Sequence, residues 1–239
     1  MIAVVNKKHI IIVACVLIFL IVTVIIVAGT VQANKFLPKL KYTIVIDAGH
    51  GGIDGGVAGV NTHVKEVELN LKVAKMLEKN FKEYGINVVM TRTNGNALCS
   101  GNTSNFKRKD MQARAKIIND AKPDAVISIH MNYFSQSKQR GAQVFYKKDS
   151  EVGKQLAKDI QKTLALNIEH CNRLYLSGDY YIVNCTDYPA VIVECGFLSN
   201  SEDEALLMTE KYQQKLAYHI MLGCMKFLDI EPYEIDISV

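Results

Sequence analysis

The stretch "VIDAGHGGIDGG", from Val45 to Gly56, is an apolar run that ends in an acid, a histidine and a cluster of glycines. An apolar, β-branched run followed by a glycine-rich loop is typical of a strand in an α/β sheet and of the loop at its carboxyl end. Many such loops cradle a phosphate, but they use a regular G-x-G-x-x-G frame or a Lys-Ser or Lys-Thr pair, and this stretch has neither. Its glycines instead allow the backbone to turn sharply on both sides of His50. The stretch therefore predicts a strand and a loop that presents an imidazole at the edge of a sheet.

From residue 42 onward, strand-like and helix-like patterns alternate along the chain. The segment after the first loop, for example, places Leu69, Val73, Leu77 and Phe81 on one helical face. Strands separated by helices predict a mainly parallel sheet that helices cover on both faces. The predicted strands are "YTIVID", "INVVMTR", "DAVISIH", "AQVFY", "YYIV" and "AVIVEC", and the predicted helices are "EVELNLKVAKMLEKNFKEY", "RKDMQARAKIINDA", "EVGKQLAKDIQKTLAL" and a last one from about Glu210 to Phe227.

Composition sets the broad class of protein. A chain of 239 residues, 49% hydrophobic and 22% charged, is typical of one folded α/β domain. The net charge of +4 comes from lysines scattered along the chain, so we expect no nucleic-acid partner. The six cysteines have no zinc-ribbon or redox spacing, which favours apolar packing for most of them. A single bridge, for instance between Cys171 and Cys185, stays open.

The first 30 residues are a separate unit. The run from Ile10 to Ala28 has no charge, and at about 1.5 Å per residue it nearly spans the roughly 30 Å hydrocarbon core of a bilayer. We predict an uncleaved transmembrane signal anchor. The alternative is a cleaved signal peptide, because Lys7 and Lys8 precede the run and "VQA" at 31–33 resembles a cleavage site. Lysines flank the run on both sides, so charge does not decide the orientation.

These patterns divide the chain into five segments. Residues 1–9 are a short basic N-terminus, 10–30 the anchor, and 31–41 a tether. Residues 42–228 are the folded domain, and 229–239 are a C-terminal tail to which we assign no role.

Three predicted strands end in an ionisable residue, namely His50, His130 and Glu194, and Glu66 begins the helix after the glycine loop. The carboxyl ends of strands in such sheets form the crevice where chemistry takes place. A hydrolytic zinc site has this composition: two histidines and a carboxylate hold the metal, and a second carboxylate stays free. Zinc would lower the pKa of a water molecule towards about 7, and the free glutamate would take its proton.

A structural interpretation competes with this one. A histidine at the end of a strand is more often a capped or solvent-facing side chain than a ligand. A buried Glu194 would then need an ion pair, for which Arg92, Arg114 and Arg173 are the candidates. Spacing alone leaves both interpretations open.

Four motifs in a fixed order distinguish between them. "IVIDAGHGGIDGG", "EVELNL", "VISIHMN" and "PAVIVECGFLSN" together resemble the zinc-dependent N-acetylmuramoyl-L-alanine amidase family of cell-wall hydrolases, from about Tyr42 to Leu228. The family commonly has proline where Ala48 stands, a change that leaves the chemistry intact. Both Glu66 and Glu68 are available in the second motif, and alignment through Leu71 favours Glu66. His63 lies nearby in the loop and is the weaker ligand candidate.

The resemblance implies that His50, Glu66 and His130 bind one zinc ion and that Glu194 is the general base and acid. It implies cleavage of the amide between N-acetylmuramic acid and L-alanine in peptidoglycan, and a single α/β domain with a mixed, mostly parallel six-stranded sheet flanked by helices. Beside these residues, we expect Asp47 to fix the loop or orient a ligand, and Arg114 and Asn119 to be structural or to support the ligands. We expect Cys195 to pack in the core.

The short architecture is most similar to the membrane-tethered amidases of spore formers, which strip peptides from cortex peptidoglycan so that muramic-δ-lactam forms. This similarity implies a membrane-anchored chain whose catalytic domain lies outside the membrane and faces peptidoglycan. A site with one ligand on a helix could also depend on an accessory protein that orders it. Two alternatives stay open: a related zinc peptidase or carboxypeptidase acting on stem peptides, and a non-catalytic peptidoglycan-binding scaffold.

Overall fold

The computed structural model describes residues 7–33, 42–99 and 105–231 and divides the chain into two compact units, Met1–Lys39 and Leu40–Val239. The first unit contains helix α1, Lys7–Ala33. Over the residues that are described, no helix meets the length and apolarity needed to cross a membrane. The anchor over residues 10–30 stays a prediction. Most of the predicted tether and residues 232–239 of the predicted tail lie outside the described residues.

The second unit is built on one six-stranded sheet. Its strands are β1 Thr43–Ala48, β2 Asn87–Met90, β3 Ala125–Asn132, β4 Gln143–Lys147, β5 Leu176–Gly178 and β6 Ala190–Phe197. They lie in the order β2-β1-β3-β6-β4-β5. Every neighbouring pair is parallel except β4 and β6, which are antiparallel. The predicted mixed, mostly parallel six-stranded sheet is therefore confirmed.

Helices cover both faces of this sheet. They are α2 Glu66–Glu83, α3 Phe106–Ala121, α4 Glu151–Asn167, α5 Tyr181–Asn184, α6 Ser201–Leu207 and α7 Glu210–Phe227. The apolar faces of α2, α4 and α7 form the larger core with one side of the sheet. A smaller core on the other side joins α3 and α5 to β1, β3 and β6. Both faces of the central strands are thus buried, which explains their continuous runs of Val and Ile.

One predicted strand is wrong. The run "YYIV" at residues 180–183 overlaps the short helix α5, and the fifth strand is the preceding segment Leu176–Gly178. Ile182 and Val183 are both buried in the smaller core. One helical turn therefore buries the same apolar side chains that suggested a strand. A run of four residues is too short for its periodicity to separate the two structures. The true strand contributes one apolar side chain, Leu176, which is exposed.

The sheet order places the candidate residues at one edge. β3 lies between β1 and β6, so their carboxyl ends are adjacent. His130 on β3 is in register with Glu194 on β6, and Ala48, two residues before His50, is in register with Ile129. Residues that are distant in sequence therefore meet above the carboxyl ends of three neighbouring parallel strands.

Candidate metal centre

His50, Glu66 and His130 converge at this edge, where one ligand atom from each lies within 4.8 Å of the others. His50 Nε2 is 3.1 Å from Glu66 Oε2, and His130 Nδ1 is 2.9 Å from Glu66 Oε1. The two imidazole rings meet edge to face, with centroids 5.0 Å apart. A single carboxylate thus lies between two imidazoles.

Glu66 is held from all sides. Its side chain is 3% exposed, Oε2 accepts a hydrogen bond from Val57 N, and Oε1 accepts from Asn70 Nδ2 and Met131 N. Burial opposes ionisation, but the contacts with His130 and His50 hold the pKa of Glu66 well below its usual range. Glu66 is therefore a fixed anion. Glu68, the other acid of the motif, is exposed.

The backbone at His50 adopts an uncommon conformation, with a φ of 64° in the left-handed region. Two buried arginines fix the loop there by donating to its carbonyl oxygens. Arg92 donates to Ala48 O at 2.7 Å and to Gly49 O at 2.8 Å, while Arg114 donates to Ala48 O at 2.9 Å and to His50 O. A strained residue persists when its surroundings over-determine its position, and these contacts do so.

Asp47 acts on the loop through Arg114 and not through the imidazole. Its Oδ1 accepts from Arg114 at 2.6 Å and from Thr91 Oγ1 at 2.7 Å, and its Oδ2 accepts from Ser128 Oγ at 2.6 Å. Burial opposes ionisation, but Arg114 and the two hydroxyls lower the pKa of Asp47. Asp110 accepts from Arg114 Nε at 2.7 Å. The guanidinium that holds the His50 loop is thus itself fixed by two carboxylates.

Asp54, which was not among the predicted site residues, contacts the other side of the His50 ring. Its Oδ1 lies 2.9 Å from His50 Nδ1, an ion-pair contact whose alignment falls short of a hydrogen bond, and it accepts from Gly56 N. Burial opposes protonation of His50, but Asp54 and Glu66 together raise the pKa of the imidazole to about 9. With Nδ1 towards Asp54, Nε2 points at Glu66. The signal in the sequence is an acid four residues after the histidine.

Two glycines leave the space that the ligands fill. A Cβ atom at Gly49 would lie 2.2 Å from ring atoms of His130, and a Cβ at Gly56 would lie 2.4 Å from Glu66 Oε2. Real Cβ atoms do not approach other atoms this closely, so a side chain at either position would displace a ligand. The glycine-rich sequence therefore serves ligand packing as well as backbone turning.

Glu194 lies beside the three ligands and differs from Glu66 in its environment. Part of the side chain is accessible, but Oε2 is buried and has no hydrogen-bond partner among the described residues. Burial, with a smaller contribution from the charge of Glu66, raises the pKa of Glu194 to about 7.

The ion pair that would make Glu194 structural is not formed within the described part of the chain. Arg92 and Arg114 donate to the His50 loop, and Arg173 donates to Arg140 O and Gln143 Oε1. The buried carboxyl oxygen of Glu194 thus has no arginine partner in that part of the chain, and the charges that act on it are those of His130, Glu66 and His50.

The remaining candidates lie outside this cluster. His63 is exposed and does not belong to it. Asn119 bridges α3 to the loop after α5, donating to Cys185 O and accepting from Thr186 Oγ1, which is a structural role. Cys195 is buried, and burial raises the pKa of its thiol far above its usual range, as expected of a packing residue. All six cysteines are free, including Cys171 and Cys185.

A cavity of about 210 Å³ adjoins the cluster. Its lining includes His50 and His130, Phe106 and Met111 of α3, and Tyr180 to Ile182 at the start of α5. Two candidate ligands and several apolar side chains thus line one crevice, as is usual for ligand sites.

The donor set fits zinc. Two imidazoles and one carboxylate are three protein ligands, which is the number that leaves a position for water in a catalytic zinc site. Glu194 Oε2, buried without a partner among the described residues, is not engaged in a structural contact. Three candidate metal donors beside a further carboxylate, at the carboxyl edge of a mainly parallel sheet, form an arrangement typical of metal-dependent hydrolases.

Comparison with known proteins identifies the family within that class. The family model for N-acetylmuramoyl-L-alanine amidases matches residues 44–226, and the chain belongs to this family. The germination-specific N-acetylmuramoyl-L-alanine amidase of Bacillus subtilis (strain 168) is 36% identical over 196 residues, which cover 80% of this chain and 81% of that protein. The resemblance inferred from the four motifs is confirmed.

Solved structures agree in fold as well as in sequence. The CwlD amidase of Clostridioides difficile, solved in complex with the GerS lipoprotein, is 34% identical with a TM-score of 0.76, and the match covers 80% of this chain and 100% of that one. The catalytic domain of the amidase CwlV from Bacillus (Paenibacillus) polymyxa var. colistinus is 29% identical with a TM-score of 0.71, covering 80% of this chain and 99% of that one. The chain is an enzyme of the class that hydrolyses the amide between N-acetylmuramic acid and L-alanine in peptidoglycan.

Proposed function

We propose that the chain is a zinc-dependent amidase in which His50, Glu66 and His130 bind one zinc ion and Glu194 is the general base and acid. The observation that carries this proposal is the convergence of three ligand atoms within 4.8 Å, next to a carboxyl group whose pKa is raised to about 7. When bound, zinc supplies Lewis acidity, which activates water and polarises the amide carbonyl.

The chain's own residues carry the proton. Glu194, ionised, accepts a proton from the attacking water while the oxygen of that water bonds to the amide carbon. The carbon–nitrogen bond then breaks, and Glu194 donates the same proton to the departing alanine nitrogen. A group that accepts and returns a proton works best with a pKa near the working pH, which a value of about 7 satisfies. The cavity walls keep the substrate over the site.

The bond that is cut separates this proposal from the peptidase alternative. A peptidase would use the same ligands and base but cleave within the stem peptide. The test is mass spectrometry of defined muropeptides after incubation with the zinc-loaded protein, with and without a chelator. We expect free stem peptides and unsubstituted muramic acid, and no products with the chelator. Cleavage within the stem, with the muramoyl amide intact, would show a peptidase.

We further propose that the enzyme acts on spore cortex. The similarity to a germination-specific amidase supports a role in removing peptides so that muramic-δ-lactam forms. In this proposal, residues 10–30 anchor the chain in the membrane, and the catalytic domain over 42–228 faces peptidoglycan outside it. Muropeptide analysis of spores that lack the protein tests the role, and we expect the lactam to be missing. Spores with normal lactam content would contradict it.

An accessory protein is the remaining part of the proposal. The similar CwlD amidase was solved with the GerS lipoprotein, which supports a partner that helps to order the zinc site of this chain. Zinc content of the purified chain is the test, and we expect less than one equivalent without a partner. A full equivalent bound tightly by the isolated chain would make the partner unnecessary for metal binding.

A further inference from the structure

The segment that leads into α2 is a narrow, hairpin-like loop whose base contains a candidate ligand. Glu66 N donates to Val57 O at 2.9 Å, Ala58 bridges to Lys65, and Gly59 N donates to Val64 O at 2.9 Å. The same base contacts the ligand itself, because Val57 N donates to Glu66 Oε2 at 3.1 Å. The position of the Glu66 carboxylate is thus coupled to the position of this loop.

The tip of the loop is attached to the segment that follows β6. Glu204, on α6, accepts hydrogen bonds from Asn61 N at 2.8 Å, from Thr62 N at 2.8 Å and from Thr62 Oγ1 at 2.6 Å. Val60 N donates to Leu198 O at 3.0 Å. The loop before α2 is therefore fixed to the end of the strand that carries Glu194.

Glu204 is a buried carboxylate whose hydrogen bonds all come from this loop. Its side chain is 1% exposed although Asn61 and Thr62 are exposed, so a single layer of loop covers it. None of the ion pairs among the described residues includes Glu204. Burial opposes ionisation, but the donors of Thr62 and Asn61 lower its pKa. Hydrogen bonds to an ionised acceptor are stronger than neutral ones.

Gly59 shows that the loop and Glu204 are in close contact. A Cβ atom at this glycine would lie 2.2 Å from Glu204 Oε1. The neighbouring acid, Asp203, has a different task, because it accepts from Gly141 N and Phe197 N. Two adjacent acids of α6 thus serve separate segments, and only Glu204 holds the loop before α2.

We propose that Glu204 is a positioning residue, a latch that holds the loop over residues 57–65 and thereby keeps the Glu66 carboxylate between His50 and His130. The proposal rests on the zinc site proposed above. Without the latch, the loop tip loses three hydrogen bonds and keeps the one from Val60 N to Leu198 O, so the backbone that donates to Glu66 Oε2 is held less firmly. Zinc affinity then falls, because Glu66 has to be ordered when the metal binds.

Loss of the latch should affect zinc affinity, whereas loss of a purely structural contact would affect the stability of the zinc-free protein. The amides of Asn61 and Thr62 belong to exposed residues, so water can replace Glu204 as their acceptor. We therefore expect Glu204→Ala to leave the melting temperature of the zinc-free protein nearly unchanged. Its zinc affinity falls by roughly the 10–100-fold that is typical when a residue supporting a ligand is lost. Glu204→Gln, which keeps one acceptor oxygen, retains part of the affinity.

The experiment compares the full chain with Glu204→Ala, Glu204→Gln and the control Glu202→Gln, an exposed acid on the same helix. Amide hydrogen exchange at Asn61 and Thr62 is measured without zinc, and zinc affinity by competition with a chromophoric chelator. We expect Glu204→Ala to show the largest increase in amide exchange and the largest loss of zinc affinity. Glu204→Gln should show smaller changes, and the control Glu202→Gln should behave as wild type.

Two results would overturn the latch: unchanged exchange at both amides in Glu204→Ala, or faster exchange with wild-type zinc affinity. A wild-type chain that binds no zinc would overturn the proposed zinc function instead. The exchange rates in the zinc-free protein would then still decide whether Glu204 holds the loop.

Discussion

Glu66 and Glu194 are two acids of one site with opposite surroundings. Glu66 lies between His50 and His130, and each of its oxygens accepts a hydrogen bond from a backbone amide, whereas Oε2 of Glu194 has no partner among the described residues. Burial opposes the ionisation of both. The contacts of Glu66 outweigh burial and lower its pKa. Glu194 has no such contacts in the part of the chain that the structure describes, so burial raises its pKa to about 7.

This difference supports the roles proposed for the two acids. Two titratable groups whose environments separate their pKa values are a recognised pattern of acid–base sites. A carboxylate that stays ionised at any working pH suits a metal ion, and one that titrates near neutrality suits proton transfer. The same residue type can therefore serve as ligand or as base, and its partners decide which.

Removal of the Glu66 carboxylate should have the largest effect. We expect Glu66→Ala to hold less zinc than wild type under the same conditions and to hydrolyse muropeptides no faster than the zinc-free protein. Glu68→Ala, which removes an exposed acid two residues away, is the control and should behave as wild type. Metal analysis and product release measure both. One full equivalent of zinc in Glu66→Ala would disprove its role as a ligand.

Removal of the Glu194 carboxylate should spare the metal. We expect Glu194→Gln to bind zinc as wild type does and to hydrolyse the amide about 10²- to 10⁴-fold more slowly, the usual contribution of a general acid–base group. Steady-state kinetics and metal analysis on the same preparation measure this. A variant with full activity would refute the assignment of the base and would favour a different proton carrier.

The contact between Asp54 and His50 should matter less than a ligand does. We expect Asp54→Ala to bind zinc roughly 10- to 100-fold more weakly, because Nδ1 of His50 loses the acid that orients the ring. Asp120→Ala, on the exposed side of α3, is the control. Competition with a chelator gives both affinities, and equal values would show that the contact does not support the ligand.

The glycine loop offers a steric test of the same arrangement. Gly49→Ala places a methyl group against His130, so we expect weaker zinc binding. Gly55→Ala is a matched control in the same loop, because its methyl group would meet only Lys65 at ordinary contact distance, 3.5 Å and beyond. Both affinities are measured by the same competition assay. Equal losses in the two variants would point to general loop damage and not to displacement of His130.

The smallest effect concerns stability without zinc. The pKa of Glu194 is raised in the folded state from 4.5 to about 7, so the folded protein binds the extra proton between these values. Stability contributed by this group is present at pH 4.5 and is lost as the pH rises to 7. We expect zinc-free Glu194→Gln to melt a few degrees above wild type at pH 8 and by a smaller margin at pH 5. An equal margin at both pH values would argue against the raised pKa.

The sequence predicts the sheet well because its central strands are buried on both faces. Runs such as "VISIH" are long and apolar enough to be recognised, and each ends where the sheet order brings the carboxyl ends together. His50, His130 and Glu194 are conspicuous for the same reason, as ionisable residues at the ends of predicted buried strands, whereas Glu66 begins a helix and is favoured over Glu68 only through the family resemblance. The short edge strand and α5 are not predictable, because neither is long enough to show a period.

Most contacts that support the candidate ligands are not visible in the sequence, although Asp47 and Arg114 are expected from it to take part. Arg92 and Arg114 hold the His50 loop through its carbonyl oxygens, which every residue has, so no side-chain pattern indicates the contact. Glu204 and the amides it accepts from are more than 140 positions apart, which only the folded chain brings together. Residues that bind a metal can be found by type, but those that hold a backbone in place need coordinates.

The order of strands in the sheet has a consequence for biosynthesis. β6 lies between β3 and β4 but comes last of the six strands along the chain. A nascent chain that has not yet emerged as far as β6 has all three metal donors, yet it lacks both Glu194 and the segment that secures the loop before α2. These parts are translated after the proposed metal donors, so a polypeptide that stops before β6 does not yet contain the proposed base.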